Sequence, residues 1–192
     1  VISDEIWADL VFSAAKHIPF AALSSAAEAR TITATAASKT FNMAGLRCAV
    51  AHIGVSEIER RIAELPGHLL GAAGSPGAVA THAAWTEGGP WLEGTVRFLE
   101  EQRDHLLARL AAELPAARVS APEATYLAWL DLREYGLGDD PAAGLLANAK
   151  VALGSGPDFG EHGKGFARLN FAATRAVLDE AIDRLVAALG HR

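Results

Sequence analysis

Short β-prone runs alternate along this chain with longer stretches of helical period, and that alternation leaves few folds open. Runs of the first kind fall at residues 1–3, 31–35, 48–53, 126–132, 151–153 and 166–171. Apolar spacing predicts helices over 56–65, 76–85, 91–114, 141–149 and 174–189. The punctuation agrees. Ser56 reads as an N-cap with Glu59 three residues on, Pro66-Gly67 stops that helix, and Pro115 ends the long one. Leu92, Val96, Leu99, Leu106 and Leu110 share one face of the long helix, and Leu178, Ile182, Leu185 and Leu189 share one face of the last. The cluster Gly88-Gly89-Pro90 is the best internal boundary. Before it the strands are apolar on both faces, as in a mostly parallel sheet covered by helices. After it come a long helix, a few strands and a terminal helix, the pattern of an α+β layer. The reading is α/β in two parts, residues 1–89 and residues 90–192. Val1 and Ile2 read as a buried strand and the only methionine is Met43, so the expectation is a piece of a longer protein, with the larger part incomplete.

Composition narrows the classes of function. The chain of 192 residues is 51% hydrophobic and 21% charged, enough for a real core. Alanine supplies 41 of those residues, so helix propensity is high and bulk per residue modest. A formal net charge of −6 argues against a nucleic-acid surface. The lone Cys48 excludes an internal disulfide and a cysteine-rich metal site. No apolar run approaches the roughly 20 residues of a membrane span, so a cytoplasmic protein is expected. His17, His52, His68, His82, His105, His162 and His191 are too scattered to suggest a metal site, and none is expected.

The densest chemical signal is SKTFNMAGLR at residues 38–47. It follows the run TITAT directly, which sets Lys39 just past the C-terminal end of a strand, where open α/β sheets bind ligands. Set between small residues and ahead of Phe41 and Met43, this amine is expected to be partly desolvated. Desolvation disfavours the ammonium form and makes the amine a usable nucleophile. The competing reading is a solvated loop lysine. Asp4 reads either as a ligand-facing carboxylate or as a strand-end residue capping a turn. Arg168, inside a strand pattern between Ala167 and Leu169, is costly to bury alone, so it either pairs with a carboxylate of the chain or takes one from a ligand.

SKTFNMAGLR resembles the cofactor-lysine segment of the class I/II aminotransferases, enzymes of fold type I that use pyridoxal 5′-phosphate (PLP). The likeness is closest to their cystathionine β-lyase-like branch. Four further segments agree in order and spacing: SDEI at residues 3–6, HIPF at 17–20, TYLAWLDLR at 125–133 and GFARLNF at 165–171. The resemblance implies that residues 1–89 are the C-terminal part of a large cofactor-binding domain and 90–192 a small C-terminal domain. It makes Lys39 the Schiff-base lysine and the base for the substrate Cα proton, and sets Asp4 against the pyridine nitrogen. Arg47 corresponds to the phosphate-binding arginine, whose fork of donors suits that group. Where relatives carry a serine three residues before the lysine, this chain has Ala36, which leaves Ser38 or Thr35 as the phosphate hydroxyl. Arg168 matches the arginine that clamps the substrate α-carboxylate. Trp7 stands where relatives carry Tyr or His near the cofactor ring oxygen, and its indole can only donate. Asn42 and Tyr126 are expected near the cleft or in packing, and Phe41, Trp129 and Phe171 in the core.

The function so implied is β-elimination from cystathionine or a cysteine conjugate, giving thiol, pyruvate and ammonia, in a homodimer acting on small amino-acid substrates. Transamination would use the same residues. An effector-sensing module of aminotransferase type is the non-enzymatic alternative.

Overall fold

The computed structural model describes residues 1–190, in two compact units, Val1–Val96 and Arg97 onward. His191 lies outside the described residues. The first unit holds a three-stranded sheet ordered β1 (Ile2–Asp4), β2 (Ile32–Thr35), β3 (Val50–Ile53). β1 and β2 are parallel and β2 and β3 antiparallel. Val1 and Ile2, read as buried, are 63% and 80% exposed on this edge strand. A short helix α1 (Ser25–Glu28) precedes β2, and Ser24 caps it by accepting from the Ala27 N–H.

Helix α2 (Ser56–Glu64) follows β3. Its N-cap is Val55, without a side-chain bond, and Ser56 is its first helical residue rather than its cap. The first turn instead carries Glu57 and Glu59, which favour the positive end of the helix dipole, and Glu57 pairs with Arg60 and Arg61. Helices α3 (Ser75–Glu87) and α4 (Gly89–Glu113) meet at Gly88. α4 begins at Gly89 because Pro90 fits a first turn, where its missing N–H has no helical partner to lose. α4 is continuous through Val96 and Arg97, where the two compact units divide. No helix among the described residues is long and apolar enough to cross a membrane.

The second unit is an antiparallel sheet ordered β4 (Arg118–Val119), β5 (Leu127–Asp131), β7 (Phe166–Asn170), β6 (Gly154–Ser155). α4, α5 (Pro141–Ala149) and α6 (Arg175–Leu189) supply its helices. Strand alternation turns Ala128, Leu130, Ala167 and Leu169 into the core. Leu99, Leu106 and Leu110 of α4 and Leu178, Ile182, Leu185 and Leu189 of α6 are buried, as their spacing predicts. Each such side chain contributes about 1.5–3 kcal/mol on burial. Buried Gln102 donates to the Ala173 carbonyl at 2.8 Å, and at the surface Arg109 of α4 reaches Asp179 and Asp183 of α6 at 3.1 and 2.6 Å.

Two expectations need correcting here, and one strand was not foreseen. Residues 151–153 form no strand: Lys150 ends α5 in a left-handed conformation, Val151 bonds back to Leu145, and pairing with β7 begins only at Gly154. The two-residue β4 has no counterpart in the sequence reading. Trp129 is 37% exposed, because it lies on the sheet face opposite Ala128 and Leu130. Phe171 is fully buried as expected.

Candidate active site

Two parallel strands end side by side in the first unit. Asp4 is the last residue of β1 and pairs in register with Ala34 of β2, and the chain leaving β2 at Thr35 turns directly into Lys39. Both residues therefore lie off the same C-terminal edge of the parallel pair. Asp4 is exposed, and its Oδ1 accepts the Ile6 N–H at 3.2 Å, an Asx turn that fixes the carboxylate at the strand end.

The lysine turn is anchored on both sides. Ala36, Ala37 and Thr40 are buried, and the Phe41 and Met43 N–H groups return to the Ala37 and Ser38 carbonyls. Thr40 reaches Asp9 at 3.4 Å. Phe41 stacks on Trp91 with ring centroids 5.3 Å apart and lies against Gly88 so closely that a Cβ there would come within 2.4 Å of the ring. Small residues on one side and a docked aromatic on the other hold the backbone on which Lys39 rides. Lys39 is half-buried, with Nζ 5.6 Å from the centre of the Trp7 ring. Trp7 is itself half-buried.

Arg47 is exposed and left-handed at φ 50°, at the end of a short turn, Ala44–Leu46. Gly77 of α3 supports that segment, since a Cβ there would sit 2.6 Å from the Leu46 carbonyl oxygen. Asn42 is exposed with φ 52°, a conformation asparagine tolerates better than most residues. Of the two candidate hydroxyls, Thr35 donates to the Glu5 carbonyl at 3.3 Å, and Ser38 is half-buried.

Sequence reasoning missed Glu5. It is 8% exposed, and three groups converge on its carboxylate: Ser3 Oγ at 2.9 Å, the Phe20 N–H at 3.0 Å and His17 Nε2 at 2.9 Å. Burial pushes the Glu5 pKa up, and the bonds from His17, Phe20 and Ser3 more than offset it, so the carboxyl is held below the usual carboxylate range. The segments SDEI and HIPF thus meet on one side chain, beside Asp4. Only the polar residues within these two segments could have signalled this. A depressed folded pKa gives stability that is present above the unfolded value, near 4.5, and lost as pH falls through the folded one. Glu5→Gln should cost about 1–3 kcal/mol at neutral pH. Urea midpoints should fall more steeply below pH ~4.5 in the parent than in the variant. Parallel pH profiles would show that the carboxylate contributes no such stability.

In the second unit Arg168 stands at the middle of β7, between Gly154 of β6 and Trp129 of β5 in register. It is half-buried, and its guanidinium lies 4.5 Å over the Phe159 ring. Among the described residues it forms no ion pair with Asp or Glu, so the internal pairing considered for it is not made. Half-buried Tyr126 lies near enough to feel the Arg168 charge. Burial pushes the Tyr126 pKa up, and the arginine opposes that rise.

Residues 1–185 match the profile of the family described as aminotransferase class I and II. The chain belongs to that family. Cystathionine beta-lyase PatB of Bacillus subtilis is 39% identical over 192 residues, covering 98% of this chain and 49% of PatB. The PLP-bound C-S lyase from Staphylococcus hominis superposes with a TM-score of 0.88 at 32% identity, over 98% of this chain and 49% of that one. Aspartate aminotransferase of Pyrococcus horikoshii is more distant, 27% identical over 98% of this chain and 48% of its own length. The aminotransferase-family chain described here therefore spans about half the length of the relatives it matches, and its mixed α/β architecture is that of fold type I.

Proposed function

We propose that this chain carries the cofactor and substrate residues of a PLP-dependent carbon–sulfur β-lyase. One observation carries the reading: of two parallel strands, one ends in a carboxylate and the other runs directly into a half-buried lysine, in a chain 39% identical to a cystathionine β-lyase. The donor set fits the cofactor, with an amine for its aldehyde, a carboxylate for its ring nitrogen, and a hydroxyl and a guanidinium for its phosphate. When bound, PLP supplies an electron sink for charge developing at the substrate Cα.

Lys39 holds the cofactor at rest and, as a free amine, takes the Cα proton. Asp4, fixed by its Asx turn, keeps a proton on the ring nitrogen. Arg47 and Ser38 hold the phosphate; Ser38 is the better hydroxyl because Thr35 already donates to Glu5. Trp7 packs at the cofactor edge of Lys39. Arg168 takes the substrate α-carboxylate in a bidentate pair and so orients Cα. The thiolate leaves from Cβ, and the remaining fragment takes up water to give pyruvate and ammonia. Residues 1–89 would serve as part of the cofactor domain and 90–192 as the small domain. We assign the whole protein to the cytoplasm, as a homodimer acting on small amino acids.

The likeness to aspartate aminotransferases favours transamination as the second reading. Products separate the two. The holoenzyme given L-cystathionine should release thiol and pyruvate with no keto acid added. Turnover only on adding a keto acid would make it an aminotransferase, and binding without turnover an effector-sensing module.

A further inference from the structure

The outer face of the second sheet carries an aromatic stack that serves none of the roles above. Phe166 stacks on Trp129 with centroids 5.6 Å apart, and Trp129 meets Phe159 edge-on at 5.4 Å. Phe159 ends the stack under the Arg168 guanidinium, at 4.5 Å. Phe159 is 52% exposed, so hydrophobic burial does not account for its place. On the strand beside it, Gly154 faces Arg168 in register. A Cβ at Gly154 would sit 3.3 Å from the Arg168 Cβ and 3.4 Å from its Nε. A Cβ there would crowd the arginine by a few tenths of an ångström, so the glycine leaves the Arg168 side chain room beside β6, and its guanidinium lies over the Phe159 ring.

We infer that Phe159, with Gly154, is a positioning element for the carboxylate-binding arginine, so that substrate affinity is set partly by a ring that need not touch substrate. The inference rests on the reading of Arg168 as the carboxylate clamp. An arginine side chain is long and rotamer-rich, and a bidentate pair requires its planar fork in one orientation. Holding the fork before substrate arrives removes part of the ordering cost from binding. The ring face attracts the guanidinium and leaves its edge N–H groups free for a carboxylate. Trp129 fixes the ring in turn, edge-on to Phe159 and itself stacked on Phe166.

The test uses the holoenzyme and the variants Phe159→Leu, Phe159→Tyr, Gly154→Ala and Arg168→Leu. The readouts are KM and kcat for L-cystathionine, the inhibition constant of propionate as an amine-free carboxylate, and PLP retention. Leucine keeps apolar bulk and loses the ring face. Phe159→Leu should raise KM and the propionate constant together by about three- to tenfold, with kcat changed less than about twofold and PLP retained. Phe159→Tyr should restore both constants, and Gly154→Ala should raise both by displacing the guanidinium. Unchanged constants in Phe159→Leu and Gly154→Ala, with both raised in Arg168→Leu, would overturn the inference and leave the clamp standing. Equal losses in the Leu and Tyr variants would also overturn it, as the mark of a merely structural ring. Constants unchanged in Arg168→Leu would overturn the clamp itself, and the positioning role with it.

Discussion

Lys39→Ala should leave a protein that binds PLP only reversibly, without the visible absorption band of the lysine-bound cofactor, and with activity lowered by at least about a thousandfold. Two losses coincide in that variant: the covalent tether and the base that moves the Cα proton. The fold should survive, since the turn is held by Ala36, Ala37, Thr40 and the Phe41–Trp91 stack and not by the lysine. The other lysines are poor substitutes. Lys150 donates to the Ala147 carbonyl at 2.8 Å, Lys164 pairs with Glu161 at 2.7 Å, and Lys16 is exposed. The bond to Glu161 and the nearby Asp139 hold the Lys164 pKa above its ordinary value, which keeps that amine protonated. A Lys39→Ala protein that keeps the band unchanged would refute the assignment.

Arg168→Leu should reduce kcat/KM for an amino-acid substrate and leave PLP affinity unaltered. Removing one partner of a desolvated charge pair costs about 2–5 kcal/mol, which is roughly 30-fold to several-thousandfold in kcat/KM. The prediction depends on the arginine lacking a carboxylate of its own, as it does among the described residues. Weakened PLP binding at unchanged kcat/KM would move Arg168 from substrate to cofactor or core.

Much of the fold was legible because its signals are local. α6 was visible in Leu178, Ile182, Leu185 and Leu189, and α5 in the helical stretch that starts at Pro141; the Asp140 cap emerges only in the structure. What escaped was set by partners distant in sequence. β6 is a Gly-Ser pair with no strand propensity of its own, and it exists because β7 offers Arg168 and Ala167 as backbone partners. Trp129 read as core because an apolar run hides its period; the register with Arg168 assigns it to the open face. At the candidate site, Lys39 stood out through its place after a strand and within a matched segment. The convergence of His17, Phe20 and Ser3 on Glu5 could not, since it joins loops and strand ends by contact alone. For Asp4 the structure shows the turn-capping alternative, one oxygen accepting the Ile6 N–H at the strand end. Arg168 was legible as a buried-strand cation, but the ring beneath it and the glycine beside it were not.

The central claim is that Lys39 is the residue to which PLP attaches. Borohydride reduction of the holoenzyme makes that attachment permanent, and peptide mapping by mass spectrometry then finds the modified lysine. The account predicts the cofactor adduct on the peptide containing SKTFNMAGLR, at Lys39, with Lys16, Lys150 and Lys164 unmodified. An adduct on any other lysine, with Lys39 free, would contradict it.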